Sequence, residues 1–129
     1  MRLLVDTHVF LWCVLGDARL PRVTQKAVVD RTNEVFVSAV SAWEISLKAA
    51  LGKLPLPTLA ADWFQDSSAK MGLVALPIQI EHALAAGALP LRHRDPFDRM
   101  LIAQARHEGL TLVTVDPVFK AYDVPLVFG

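Results

Sequence analysis

The sequence predicts an α/β protein whose central parallel sheet of about five strands is covered by helices on both faces. Short apolar runs without polar alternation, such as Arg2–Val5, are typical of strands buried on both sides. These runs alternate with helical segments along the whole chain, which favours parallel strands joined by right-handed crossovers. With 129 residues, 53% of them hydrophobic, the chain is predicted to form one domain over residues 1–129.

The first half of the chain is predicted to contain two strands and three helices. In chain order these are strand Arg2–Val5, helix Thr7–Leu15, helix Pro21–Thr32, strand Glu34–Ser38 and a helix from Ser41 to Ala50. Ser41 and Glu44 stand three residues apart, the spacing of a capping box. That spacing predicts the start of the third helix and places Glu44 in its first turn.

The second half is predicted to contain three more helices and three more strands. In chain order these are helix Thr58–Met71, strand Leu73–Leu76, helix Gln79–Ala88, a helix from Pro96 to Glu108, strand Thr111–Val115, a short turn at Val118–Tyr122 and an edge strand Val124–Val127. Asp95 is the expected cap of the Pro96 helix, and Gly109 is expected to end it in the left-handed conformation. Pro125 places the last strand at an edge, because proline cannot donate to a sheet ladder.

Four acidic residues are expected to converge at one edge of this sheet. Asp6 and Asp116 follow predicted strands, while Glu44 and Asp98 lie in the first turns of predicted helices. Each has a local alternative except Asp6: Glu44 as a capping residue, Asp98 as a helix-terminus acid, and Asp116 as a turn residue. Clustered carboxylates repel each other, so four together indicate a divalent cation, Mg²⁺ or Mn²⁺, of the kind that hydrolyses phosphate esters.

Several segments, taken together and in order, resemble the motifs of PIN-domain ribonucleases, specifically the VapC-type toxins of toxin–antitoxin pairs. The matching segments are VDTHVFLW, VSAVSAWEISLKAALGKL, HRDPFDRMLIAQA and LVTVD. The resemblance implies a three-layer α/β/α sandwich with the Asp6 strand central. It also implies Mg²⁺-dependent cleavage of RNA, inhibition by a cognate VapB-type antitoxin, and a homodimer or larger toxin–antitoxin assembly.

The resemblance also implies roles for individual residues. Catalysis and metal binding would fall to Asp6, Glu44, Asp98 and Asp116. Small hydroxyl residues near the metal would be Thr7, Ser38 and Thr114.

A basic group beside Asp98 is a candidate RNA-binding surface. It comprises Arg92, His93, Arg94 and Arg99. The alternative is a solvated helix end in which Arg99 pairs with an acid. A transition-metal site using His8 and His93 is less favoured, because their spacing matches no common zinc motif.

Composition adds little about function but bears on location. Thirteen basic residues balance thirteen acidic ones, so net charge does not indicate a nucleic-acid binder. Cys13 is the single cysteine, and the apolar start is far shorter than a signal peptide. We therefore expect a cytoplasmic protein without a membrane partner.

Two other classes of protein share the predicted architecture. A receiver-like signalling domain would have paired acids near the first strand and a lysine where Asp116 and Pro117 stand. A PIN-like binding module without catalysis is the other alternative, although the complete acidic set argues against it. Metal-dependent cleavage of RNA would distinguish the three.

Overall fold

A computed structural model describes all residues from Met1 to Gly129, and its strands form one five-stranded sheet in which every pairing is parallel. The strands are β1 (Arg2–Val5), β2 (Glu34–Ser38), β3 (Val74–Leu76), β4 (Thr111–Thr114) and β5 (Leu126–Phe128). The helices are α1 (Thr7–Leu15), α2 (Arg22–Val29), α3 (Ala39–Ala50), α4 (Ala60–Lys70), α5 (Ile80–Ala88) and α6 (Pro96–Glu108), with a 3₁₀ helix at Pro117–Ala121. No helix has both the length and the apolar character needed to span a membrane.

The strand order is β3-β2-β1-β4-β5, so the first strand of the chain lies in the middle of the sheet. Leu3 is opposite Val35 of β2, and Leu4 is opposite Leu112 of β4. The predicted parallel sheet, the central position of β1 and the edge position of the last strand are confirmed. This order brings the ends of β1, β2 and β4 side by side.

Side chains alternate along β1 between two apolar layers, one on each face of the sheet. Leu3 and Val5 belong to the layer that packs against α1, α2, α3 and α4, whereas Leu4 belongs to the layer that packs against α3 and α6. All three side chains are fully buried. Burial on both faces explains why the strands carry no polar alternation, and it gives the expected three-layer arrangement.

Local capping signals determine where α6 begins and ends. The Asp95 side chain accepts hydrogen bonds from the backbone N–H groups of Phe97, at 2.9 Å, and Asp98, at 3.3 Å. Pro96 is the first residue of the helix, and Gly109 ends it with φ = 67°, a conformation that costs other residues more. These predicted boundaries are confirmed, and they hold Asp98 in the first turn.

The predicted start of α3 was wrong. The helix begins at Ala39, and its cap is Ser38, whose side chain accepts a hydrogen bond from the Val40 N–H at 3.0 Å. Ser41 lies inside the helix, and its hydroxyl is hydrogen bonded to that of Thr7 at 2.8 Å. Glu44 is therefore in the second turn of α3, not the first, and is not part of a capping box.

Candidate metal centre

Asp6 lies directly after β1, at the middle of the sheet edge. Its backbone N–H donates to Val113 of β4, which continues the ladder, and the residue is only 2% exposed. One carboxylate oxygen, Oδ2, accepts a hydrogen bond from the Thr114 hydroxyl at 2.8 Å. Burial raises the pKa of Asp6, and the charge of Glu44 raises it further. The folded protein therefore disfavours the charged form of Asp6 unless a cation is bound beside it.

Glu44 reaches the same region from α3 and is 3% exposed. Its Oε2 atom accepts an ion-pair contact from Lys48 Nζ at 2.6 Å, one helical turn further on. Its Oε1 atom is buried and has no hydrogen-bond partner. A buried carboxylate oxygen without a donor is costly, so this atom indicates a missing positive or hydrogen-bonding group.

Asp98 enters from the first turn of α6 and is half-buried. Burial raises its pKa from 3.8 to about 6, and the charges of Asp95 and Asp6 add to this rise. His93 acts in the opposite direction, because its Nε2 atom lies 2.7 Å from Asp98 Oδ2. The charge of Glu44 acts on Asp6, and the charge of Asp6 acts on Asp98, as expected for carboxylates at the same edge of the sheet.

Asp116 occupies a different position from the other three acids. It is exposed, and its Oδ1 atom caps the 3₁₀ helix by accepting from the Val118 N–H at 3.0 Å. Its own N–H donates to the Thr114 hydroxyl at 3.0 Å, so Thr114 connects Asp116 with Asp6. The structure thus buries Asp6 and Glu44, half-buries Asp98 and leaves Asp116 exposed.

The three predicted hydroxyl residues have separate contacts. Only Thr114 binds one of the acids. Thr7 pairs with Ser41, and Ser38 donates to Gln104 Oε1 at 2.5 Å. Sequence reasoning missed Gln104 and Ser41 because their partners are remote in the chain.

The basic group beside Asp98 divides into exposed and buried members. Arg92 and Arg94 are exposed, and His93 is half-buried against Asp98. Arg99 is only 8% exposed, and its guanidinium donates to backbone carbonyls and to the Tyr122 hydroxyl. Arg99 therefore neither faces solvent, as RNA binding requires, nor pairs with an acid, and both sequence interpretations of it were wrong.

The residues of the pocket fit a hard divalent cation. Oxygen ligands suit such an ion, and the orphaned Glu44 Oε1 supplies one that no protein group satisfies. Burial raises the pKa of both Asp6 and Asp98, so a bound cation would favour their charged forms. His93 and Asp95 also have ligand atoms near those of Asp98, although Asp95 Oδ1 is used as the helix cap.

A second group of possible ligands, formed by His82, His107 and Glu108, fits a metal less well. The Nδ1 atom of His82 accepts a hydrogen bond from the Gln79 N–H at 2.9 Å. The proton of the neutral ring is therefore on Nε2, which lies 3.1 Å from Glu108 Oε2. That proton occupies the position where a metal would bind, so we interpret the group as a buried histidine donating to a carboxylate.

The fold and the pocket together define a class: doubly wound parallel α/β proteins with a buried carboxylate pocket that suits a divalent cation at the carboxyl edge of the sheet. The PIN domain family matches residues 3–125. The chain therefore belongs to the PIN domain family.

The chain is similar in sequence or in fold to several known proteins. Ribonuclease VapC22 of Mycobacterium tuberculosis (strain ATCC 25618 / H37Rv) is 28% identical over 123 residues, covering 95% of this chain and 92% of the relative. The fold resembles that of VapBC2 from Rickettsia felis bound to a promoter DNA fragment, with a TM-score of 0.74, 14% identity, and coverage of 100% and 99% of the two chains. It also resembles DNA-bound VapBC from Salmonella typhimurium, with a TM-score of 0.71, 15% identity, and coverage of 99% and 98%.

Proposed function

We propose that this chain is a Mg²⁺-dependent endoribonuclease of the VapC type, acting in the cytoplasm as the toxin of a toxin–antitoxin pair. PIN domains are a nuclease family, and the relative that spans nearly the whole chain is named a ribonuclease. The observation that carries the proposal is the carboxylate set formed by Asp6 and Glu44, which are buried, and Asp98, which is half-buried. Within this set Glu44 Oε1 has no hydrogen-bond partner. A receiver-like domain or a passive binding module does not require that set.

In this proposal the metal ligands are the carboxylates of Asp6, Glu44 and Asp98, with Asp116 contributing from the rim. Mg²⁺ bound there would supply Lewis-acid polarisation of the scissile phosphate and a lowered pKa for an attacking water. Thr114 holds Asp6 through Oδ2, and Lys48 holds Glu44 through Oε2. Those contacts fix the orientation of both carboxylates before a ligand arrives.

We assign the orientation of the attacking water to Asp98 or Asp116, the two acids that solvent reaches. Asp98 and Asp116 both lie where a water molecule can reach them, since one is half-buried and the other exposed. Either carboxylate can orient the attacking water. Arg92 and Arg94 are exposed close by and are assigned to the RNA backbone.

The protein partner is assigned to an apolar stripe on α3. Trp43, Leu47 and Leu51 are spaced four residues apart and are 59%, 39% and 59% exposed. The Val9–Leu11 part of α1 is buried in the core, so it is not available for this purpose. We propose that the stripe is covered in a toxin–antitoxin assembly. The solved structures that share this fold include VapBC complexes.

The nuclease proposal is tested with purified protein and pooled RNA. Cleavage is expected with Mg²⁺ or Mn²⁺, and none with EDTA. Glu44→Gln and Asp98→Asn are expected to abolish cleavage while the variants remain folded. Asp62→Asn is the matched control, because Asp62 is also an acid in the first turn of a helix but is exposed on α4. Cleavage that persists in EDTA, or in both pocket variants, would contradict the proposal.

The antitoxin proposal has its own test. Expression of the free protein is expected to arrest growth, and co-expression of the small protein encoded beside it is expected to relieve the arrest. Leu47→Glu is expected to prevent that relief and to abolish the complex on a sizing column. Leu84→Glu is the control, since Leu84 is 70% exposed on α5, away from the stripe. Equal binding by both variants would show that the stripe is not the interface.

A further inference from the structure

The turn between α5 and α6 is held by the hydroxyl of one buried tyrosine. Tyr122 Oη accepts hydrogen bonds from the backbone N–H groups of Arg92, at 3.2 Å, and His93, at 3.0 Å. The same hydroxyl donates to the Pro90 carbonyl at 2.6 Å. Tyr122 is 6% exposed, so water does not compete for these contacts. It therefore fixes the backbone of the turn from Pro90 to His93.

The guanidinium of Arg99 holds the same turn from the other side. Its Nη2 atom donates to the carbonyls of Ala86 and Leu89 at 2.8 Å each, which lie at the carboxyl end of α5. Its Nη1 atom donates to the carbonyls of Pro90, at 3.1 Å, and His93, at 3.2 Å. The negative end of a helix stabilises such a cation without a carboxylate partner. A lysine ammonium lacks the planar fork needed to reach both groups.

These contacts hold both backbone polar groups of His93. Its N–H donates to Tyr122, and its carbonyl accepts from Arg99. The side chain that this backbone carries places Nε2 at 2.7 Å from Asp98 Oδ2. Asp98 Oδ1 accepts no hydrogen bond from the protein, so His93 is the group that fixes this carboxylate. Arg99 directly follows Asp98 in α6, which joins the acid and its support in one rigid element.

We propose that His93 is a positioning residue of the metal centre, and that Arg99 and Tyr122 form a buried clamp that places its imidazole against Asp98. The inference rests on the proposed function and deepens it. It replaces the sequence interpretation of His93 and Arg99 as RNA-binding residues. His93 acts through Asp98, and Tyr122 acts through His93.

The inference is tested with Mn²⁺ alone, by calorimetric titration of the metal-free protein. His93→Leu is expected to weaken Mn²⁺ binding by roughly tenfold or more, because groups that orient a ligand affect affinity to that extent. His93→Gln retains an N–H donor and is expected to restore most of the affinity. His107→Leu, on the far end of α6, is the control and is expected to bind Mn²⁺ as the unmodified protein does.

A double-mutant cycle tests the clamp itself. Tyr122→Phe removes only the hydroxyl, and it is expected to weaken Mn²⁺ binding in the unmodified protein but not in the His93→Leu background. Arg99→Lys is the second clamp variant and is expected to behave in the same way. Circular dichroism establishes that each variant is folded. Equal losses in both backgrounds would overturn the clamp, since Tyr122 and Arg99 would then act independently of His93.

Cleavage kinetics separate positioning from RNA binding. His93→Leu is expected to lower kcat while KM for an RNA oligonucleotide stays nearly unchanged. A raised KM with unchanged kcat and Mn²⁺ affinity would overturn the inference and return His93 to an RNA-binding role. If the unmodified protein binds Mn²⁺ and cleaves RNA but His93→Leu equals it, only this inference fails. If the unmodified protein does neither, the proposed function fails with it.

Discussion

The raised pKa of Asp98 predicts that removing its charge stabilises the metal-free protein. The pKa rises from 3.8 to about 6 in the folded state. An acid whose folded pKa lies above its unfolded value binds more protons when folded, so stability falls as pH rises through this interval. Two pKa units correspond to about 3 kcal/mol at most, and to about 2 kcal/mol once solvent screening of this partly exposed group is allowed for.

Asp98→Asn is the perturbation that isolates this effect. In EDTA at pH 4 the variant and the unmodified protein are expected to unfold at similar urea concentrations. Asp98 is then neutral in the folded protein and about half ionised in the unfolded chain, which leaves a difference of less than about 1 kcal/mol. At pH 7.5 the variant is expected to be more stable by about 2 kcal/mol. Adding Mg²⁺ should reverse the order, since only the unmodified protein gains binding free energy from the ion.

Urea unfolding at the two pH values also supplies the control for the Asp98→Asn variant. Asp62→Asn changes an exposed first-turn acid, so it is expected to shift stability by less than about 1 kcal/mol. A variant of Asp98 that is less stable than the unmodified protein at pH 7.5 would mean that the carboxylate is a structural helix-terminus group. A gain of the same size at pH 4 and pH 7.5 would show that titration of Asp98 is not its cause.

Two further predictions concern side chains outside the pocket. Trp63 is 8% exposed, so Trp63→Ala is expected to lower the free energy of unfolding by about 3 to 5 kcal/mol in urea. Trp43 is 59% exposed, so Trp43→Ala is expected to lower it by less than about 1 kcal/mol. A large loss for Trp43→Ala in the monomer would contradict the exposure of that side chain. Burial raises the pKa of the Cys13 thiol to about 11, so Cys13 is expected to react slowly with a thiol reagent at pH 8 and quickly once urea unfolds the chain. Rapid reaction in the native state would indicate that α1 opens locally.

Features with local causes could be predicted from the sequence. The ends of α6 were predicted at the right residues because Asp95, Pro96 and Gly109 each act on their immediate neighbours. The start of α3 was placed wrongly because two serines, Ser38 and Ser41, are both candidate caps for the same helix. Ser41 has the spacing of a cap, but its hydroxyl is engaged by Thr7, 34 positions away. No pattern along the chain reports that contact.

The same distinction applies to the pocket. Parallel strands place their carboxyl ends at one edge of the sheet, so the position of Asp6 directly after the central strand could be predicted. The joint role of Asp6, Glu44 and Asp98 as metal ligands stays a prediction. The burial of Arg99 did not follow, since its acceptors are main-chain carbonyls that every sequence possesses. In a sequence, an arginine beside an acid indicates an ion pair or a phosphate contact. The carbonyls that Arg99 contacts instead are determined by the path of the turn between α5 and α6, which the sequence pattern does not show.

The central position of β1 has a consequence for how the chain matures. β1 leaves the ribosome well before one of its two neighbours, β4, which begins only at Thr111. The hydrogen bond between Asp6 and Thr114 joins residues 108 positions apart. Contacts of such long range form late and slowly in folding. A nascent chain therefore carries most of its helices before it has its acidic pocket, and a fragment ending before Thr111 leaves one side of β1 unpaired and Asp6 without its hydroxyl donor.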